Sequence, residues 1–347
     1  MKLHDVIIIG GGQAGLSIAY FLRRSNLSYL ILEKQAKAGG SWNHTWDSLK
    51  LFSPSNYSSL SGWPMPKSTN EYPTKSEFIN YLSAYEKRYE FFIQKQTEVL
   101  KVEKENGLFK ITTNIEIFYS KTLVSATGTA KNPFIPTYPE SAKFNGVQIH
   151  SATYKNSTDF EGKKILIVGG GNSGAQILAE VSKVATTKWV TLKEPQFLPD
   201  TMDGRYLFNE ATQKFLGKSE EKSSGDFSIS LSNIVMVESV KEARSRNILN
   251  AVRPFEEFYE HGVIWKDGTR EAFDAVLWCT GFRANLKHLE SLGIIQNGKI
   301  TTLHTRSVKE PSLWLVGYGN WTGFASATIY GVGKTARQTV KEITEVL

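Results

Sequence analysis

Two short apolar runs stand out in an otherwise mixed chain. Val6-Ile7-Ile8-Ile9 and Ile165-Leu166-Ile167-Val168 are rich in β-branched residues, and each stops at a cluster of glycines. Apolar runs of this length, bounded by glycine, read as buried strands. Beyond the glycines, Leu16 to Leu22 and Ala175 to Val184 carry helix-spaced apolar residues. A third helix is expected over Phe78 to Tyr89, after Pro73 and Ser76, and a last one from Gly333 to the C-terminus.

The pattern between these segments alternates as strands do. Asn106-Gly107 predicts a hairpin between Val99-Leu100-Lys101-Val102 and Phe109-Lys110-Ile111. The strand Thr122 to Ser125 then leads into Ala126-Thr127-Gly128. The second half repeats the arrangement. Asp267-Gly268 predicts a turn between Val263-Ile264-Trp265 and the strand Phe273 to Trp278, which leads into Cys279-Thr280-Gly281. Leu313-Trp314-Leu315-Val316 reads as a further strand, whose tail returns to the first domain. Pro195 to Val252 reads as a lid or irregular loop.

Chemistry enters through the glycines. Gly10-Gly11-Gly12-Gln13-Ala14-Gly15 and Gly169-Gly170-Gly171-Asn172-Ser173-Gly174 both spell G-x-G-x-x-G between a strand and a helix. In that context the pattern is a dinucleotide fingerprint. The first glycine makes the tight turn, the second admits a pyrophosphate, and the third lets helix and strand pack closely. The helix N-terminus offers free N–H groups to phosphate. Two copies in this setting argue against a mere structural turn.

The second strand of each copy ends differently. Tyr29-Leu30-Ile31-Leu32 ends at Glu33, at roughly the 20-residue spacing where a carboxylate binds ribose hydroxyls. Trp189-Val190-Thr191-Leu192 ends at Lys193, a cation suited to a 2′-phosphate, with Glu194 beside it. A plain surface lysine is the competing reading.

Composition narrows the classes. The 347 residues suggest two domains at about 150 residues each, and 40% hydrophobic content suits ordinary cores. The net charge of +7 comes from scattered residues, which argues against nucleic-acid binding. The early apolar run is too short for a membrane span. One cysteine, Cys279, excludes a disulfide or dithiol centre within the chain and suggests the cytoplasm. No histidine spacing suggests a metal.

Phe144-x-Gly146-x-x-x-His150-x-x-x-Tyr154, lying between the fingerprints, resembles the signature of class B flavin-dependent monooxygenases. These are the flavin-containing and Baeyer–Villiger monooxygenases; Tyr154-Lys155 fits the former. Gly39-Gly40-Ser41-Trp42 matches the family's G-G-x-W segment. Trp46 to Pro54 and Gly317-Tyr318-Gly319-Asn320-Trp321 resemble a short bacterial subgroup, some of whose members accept both NADH and NADPH. No hydrophobic C-terminal anchor is read.

The resemblance implies an α/β fold of two Rossmann-like dinucleotide-binding domains of the three-layer ββα type. Residues 1–155 and 282–347 would form the FAD domain, and 156–281 an inserted NAD(P)H domain. Gly10, Gly12, Gln13, Ala14, Gly15, Glu33, Lys34, Gly40, Ser41, Trp42, Trp46, Val99, Ala126, Thr127 and Gly128 would serve FAD. Gly169, Gly171, Asn172, Ser173, Gly174, Lys193, Thr280 and Gly281 would serve NADPH or NADH. Phe52 stands where many relatives place an asparagine over the flavin. Asn320 stands where larger relatives have aspartate. Both are the candidates nearest the reacting ring. Core packing is the competing reading for Trp42, Trp46 and Phe52, and a structural role the preferred one for His150.

The activity so implied is insertion of one atom of O₂ into a sulfide or amine, or Baeyer–Villiger oxidation of a ketone, through an oxygen adduct of reduced FAD. The expected partners are O₂ and a small-molecule substrate, without nucleic acid or membrane; a homodimer is one expected assembly. The alternatives are an NAD(P)H oxidase, a flavin reductase that passes electrons to a partner, and a non-catalytic nucleotide sensor. A flavin disulfide reductase needs a cysteine pair that the sequence lacks.

Overall fold

The computed structural model describes residues 3–205, 233–323 and 325–347. The chain divides into two compact units. Unit 1 holds residues 1–43, 53–132 and 283–347, and unit 2 holds 44–52 and 133–282.

Unit 1 begins with β1 (Leu3–Ile9), α1 (Gln13–Leu22) and β2 (Tyr29–Leu32). Next come α2 (Lys75–Tyr89), β3 (Ile93–Gln94), β4 (Val99–Glu105), β5 (Leu108–Thr113) and β6 (Ile117–Ser125). Helix α2 starts before the expected Phe78 because Thr74 caps it. The Thr74 hydroxyl accepts from Glu77 N–H, and the Glu77 carboxylate accepts from Thr74 N–H at 2.7 Å, a capping box. The β4–β5 hairpin turns on Asn106 and Gly107, both at positive φ as its two-residue loop requires.

Unit 2 contains β7 (Val147–His150), β8 (Lys164–Val168), α3 (Asn172–Val181), β9 (Thr186–Val190) and α4 (Glu238–Ser245). They are followed by β10 (Ala251–Val252), β11 (Glu257–Tyr259), β12 (Gly262–Ile264), β13 (Arg270–Ala272) and β14 (Ala275–Trp278). The strand order β10-β9-β8-β14-β7 is parallel throughout. The near-continuous apolar runs of β8 and β14 reflect burial on both faces. The Asp267-Gly268 turn joins β12 to β13 in a separate small sheet, so its partner is not the Phe273–Trp278 segment.

The tail then completes unit 1 with β15 (Ile295–Gln296), β16 (Lys299–Ile300), β17 (Thr302–Leu303), β18 (Arg306–Ser307), β19 (Leu313–Leu315) and α5 (Ile329–Val346). Among the described residues the main sheet of unit 1 runs β17-β18-β19-β6-β1-β2-β3, with β5 also on β6 and β4 on β5. β19 lies parallel to β6, which brings the tail beside the N-terminal strand.

The division differs from the expected break after residue 155. β7 pairs with β14, so residues 133–155 belong to unit 2. Residues 44–52 join the same unit: Asp47 N–H donates to Lys155 O at 2.8 Å, and Trp46 is buried in its core. Nearly half of the Pro195–Val252 segment, residues 206–232, lies outside the described residues.

Candidate dinucleotide sites

In unit 1 the carboxyl ends of β1, β6 and β19 meet the start of α1. Gly10 sits at φ +103, and a Cβ there would lie 2.8 Å from Ala126 O. A Cβ on Gly15 would be 1.9 Å from Gly10 O, so any larger residue would push α1 off the turn. Gly317, at the end of β19, approaches Ala14 so closely that a Cβ would be 2.8 Å from the alanine methyl. α1 has no side-chain cap and no acidic residue in its first turn. Its N–H groups and positive dipole end are therefore suited to an anion.

Glu33 lies beside this turn. Its carboxylate is buried and accepts from Gly11 N–H at 2.5 Å and Gln35 N–H at 2.8 Å. The Gly39–Trp42 segment packs over the fingerprint: a Cβ on Gly40 would be 2.8 Å from Gly12 Cα. Trp42 Nε1 donates to Gln13 Oε1 at 3.0 Å, and Gln13 Nε2 donates to Ala327 O at 3.0 Å. Gln13 thus ties the G-G-x-W turn to the loop before α5. The Thr97 N–H donates to the Glu33 backbone carbonyl, which brings the chain leading into Val99 beside the end of β2. Lys34 is instead exposed and paired with Glu98 at 2.6 Å.

A buried polar network underlies the ends of β6 and β19. Ser125 Oγ lies 2.9 Å from His288 Nε2 and 2.5 Å from the Tyr318 hydroxyl. Thr127 Oγ1 is 2.8 Å from the same hydroxyl. Burial pushes the His288 imidazole down to about 4, so it is neutral. Asn320 is exposed and opens a short turn, Asn320–Thr322, just beyond this network.

Unit 2 repeats the construction. Gly169 is at φ +134, and its Cβ would lie 2.2 Å from Cys279 O; Gly174's would lie 2.1 Å from Gly169 O. Cys279 therefore takes the place that Ala126 takes in unit 1. Its thiol is buried, which pushes it up to about 12 and makes it inert at neutral pH. α3 again begins without a side-chain cap or an acidic first-turn residue. Thr280 Oγ1 donates to Phe134 O at 2.5 Å, and Gly281 follows at φ +82. Ser173 is half-buried in the first turn of α3. The Asn172 side chain is committed to protein, accepting from Val235 N–H at 2.8 Å and donating to Asn233 O at 3.1 Å.

Strand register identifies equivalent positions. Ile9 pairs with Leu32, and Val168 with Val190, so the residues that follow, Glu33 and Thr191, correspond. Lys193 is not the counterpart of Glu33, as residue spacing suggests; it lies two positions further on, exposed, beyond the strand.

Trp46 and Phe52 both fall in unit 2. Trp46 is 8% exposed in a cluster with Tyr154, Phe160 and Leu178, and Phe52 packs on Leu198 and Val235. The signature residues are also structural within this unit. A Cβ on Gly146 would collide with the Phe144 ring at 2.3 Å, and Phe144 fills an aromatic cluster with Phe258 and Trp278. Tyr154 is buried in a different cluster and stacks on Phe160. His150 Nδ1 accepts from Ala152 N–H at 3.0 Å, and burial lowers the imidazole's pKa.

A cavity of about 900 Å³ in unit 2 opens by Gly146, Lys164 and Asp274. It sits at the amino ends of β7, β8 and β14, whereas nucleotides bind at carboxyl ends in sheets of this type. Among the described residues no cluster could hold a metal ion, and no helix is long and apolar enough to cross a membrane.

Comparison with known proteins agrees with this geometry. A family model described as pyridine nucleotide-disulphide oxidoreductase matches residues 7–317. The chain is 34% identical over 344 residues to the uncharacterized oxidoreductase CzcO of Bacillus subtilis, covering 98% of this chain and 99% of that protein. It is similar to the flavin-containing monooxygenase from Stenotrophomonas maltophilia, with 43% identity, a TM-score of 0.92 and coverage of 100% and 99%. The probable indole-3-pyruvate monooxygenase YUCCA4 of Arabidopsis thaliana is 25% identical over 371 residues, covering 98% and 89%.

Proposed function

The chain belongs to the pyridine nucleotide-disulphide oxidoreductase family, and on that premise we propose that it uses FAD in unit 1 and NADPH or NADH in unit 2 to oxygenate a soft nucleophile. The likeness to flavin monooxygenases covers the whole chain and makes it a flavin-dependent oxidoreductase of that kind. The observation that carries the finer reading is the duplicated cradle: Gly10 against Ala126 O, and Gly169 against Cys279 O, each opening an uncapped helix.

The residues of unit 1 fit FAD. Gly10 and Gly12, with the first N–H groups of α1, would hold the pyrophosphate, and Glu33 the adenosine ribose. Gly40, Ser41 and Trp42, fixed through Gln13, would border the flavin end. In unit 2, Gly169, Gly171 and the start of α3 would hold the second pyrophosphate. When bound, FAD supplies hydride acceptance and activation of O₂. The protein's work is then to bind, orient and exclude water, and no nucleophilic side chain is required.

The single cysteine supports oxygen over a disulfide as electron acceptor. Cys279 is buried, has no second cysteine in the chain and carries a high pKa. A sulfide or an amine is the proposed substrate class, with a ketone the second.

Purified protein is expected to carry FAD and to convert a thioether to its sulfoxide with NADPH or NADH. A protein that neither contains nor takes up flavin would overturn the reading.

A further inference from the structure

The equivalence of Glu33 and Thr191 exposes a difference in chemistry. In unit 1 the residue between the first two fingerprint glycines, Gly11, lies against the Glu33 side chain, with its Cβ position 3.1 Å from Oε2. In unit 2 the corresponding residue, Gly170, lies against Thr191, with its Cβ position 3.3 Å from the threonine Cβ and Cγ2. The carboxylate that would accept from both ribose hydroxyls is therefore missing from unit 2 at this position, where only a threonine hydroxyl stands.

A cation stands next to it. β10 runs parallel to β9 with Val252 opposite Val190, so Arg253 leaves its strand beside Thr191. Arg253 Nη1 donates to Thr191 Oγ1 at 3.0 Å and to Thr191 O at 3.4 Å. Nη2 is paired with the Glu194 carboxylate. The strand end thus presents a positioned guanidinium where unit 1 presents a carboxylate. A guanidinium suits a phosphate, which accepts in a forked geometry, and not a pair of hydroxyl donors.

Glu194 is the only carboxylate paired with Arg253 among the described residues. The two side chains are 46% and 70% exposed, so the pair adds little to stability and opens cheaply. A phosphate dianion arriving at Arg253 would have to displace it.

We propose that Arg253, held by Thr191, recognises the 2′-phosphate of a dinucleotide in unit 2, and that Glu194 competes for the same guanidinium and so sets the selectivity between NADPH and NADH. The inference rests on unit 2 being the nicotinamide dinucleotide site. It explains how one site could accept both coenzymes. With the phosphate absent, the pair stays closed and Arg253 keeps its charge balanced. With the phosphate present, Arg253 changes partner and Glu194 turns to solvent. Lys193, one residue earlier and exposed, makes no ion pair among the described residues and adds a second, less positioned charge.

The test is calorimetric titration of the flavin-loaded enzyme with 2′,5′-ADP and with 5′-AMP, at one fixed salt concentration. Arg253→Gln is expected to weaken 2′,5′-ADP by about tenfold or more and to leave 5′-AMP within about twofold. Glu194→Gln is expected to tighten 2′,5′-ADP by several-fold, and the double variant to behave like Arg253→Gln. Arg253→Lys keeps the charge without the fork and should fall between wild type and Arg253→Gln. Unchanged ratios of the two affinities in the Arg253 variants, or equal weakening of both probes, would overturn the role. Failure of the wild-type enzyme to bind either probe would overturn the assignment of unit 2 itself, and the inference with it.

Discussion

Gly10 and Gly169 face the same constraint in two different surroundings. Each has a positive φ, and each has a carbonyl oxygen where a Cβ would go, Ala126 O in one case and Cys279 O in the other. Alanine at either position must both adopt a strained backbone and move a strand end. The consequences should separate. Gly10→Ala is expected to yield protein that retains less than about a tenth of its FAD, read from the flavin-to-protein absorbance ratio. Gly169→Ala is expected to keep FAD while the flavin is reduced at least about tenfold more slowly by NADPH and NADH, read by anaerobic stopped flow. Loss of flavin from both variants would contradict the assignment of one cradle to each nucleotide. His288 provides a second prediction at this scale. Its imidazole is held near 4, while an unfolded histidine titrates near 6.5. Above about 6.5 the folded state keeps this contribution in full. Between those values only the unfolded chain binds the proton, so stability falls as pH falls, by about 3 kcal/mol in all. His150 is shifted in the same direction. In His288→Gln the loss between pH 7 and 4.5, followed by urea unfolding, should be smaller than in the wild type. An identical loss would show that His288 does not stay neutral in the fold.

At the scale of elements, the strand–turn–helix units were legible because their requirements are local. A turn that crosses a neighbouring carbonyl at positive φ takes glycine, and a strand buried on both faces takes an apolar run. The Asn106-Gly107 hairpin was legible for the same reason. Long-range pairing was not. β7 could be assigned to unit 2 only through its register with β14, and the 44–52 segment only through Trp46 and Asp47. Spacing alone suggested Lys193 as the partner of Glu33, whereas the strand register selects Thr191. Arg253 is not legible in the sequence because its place is set by β10 lying on β9, far away along the chain. The signature between the fingerprints has a structural content of its own. Phe144 and Tyr154 fill two different clusters of unit 2, and Gly146 is small because the Phe144 ring lies on it. Gly146→Ala should therefore destabilise unit 2 by about 1–3 kcal/mol, measured by denaturant unfolding, without changing the spectrum of bound flavin. An unfolding midpoint equal to that of the wild type would remove the packing explanation.

At the scale of the whole molecule, the chain contains two glycine turns of one design, each opening a helix, and one inert cysteine. On the proposed function a nicotinamide reduces a flavin, and the chain offers no dithiol to receive the electrons next. On that proposal oxygen is the acceptor, and the question is where its atoms go. The most direct measurement is turnover of a thioether under ¹⁸O₂ with a counted amount of NADPH or NADH. The account predicts sulfoxide carrying one ¹⁸O atom for each nicotinamide oxidised. Recovery of the reducing equivalents as hydrogen peroxide, with unlabelled or absent sulfoxide, would contradict it.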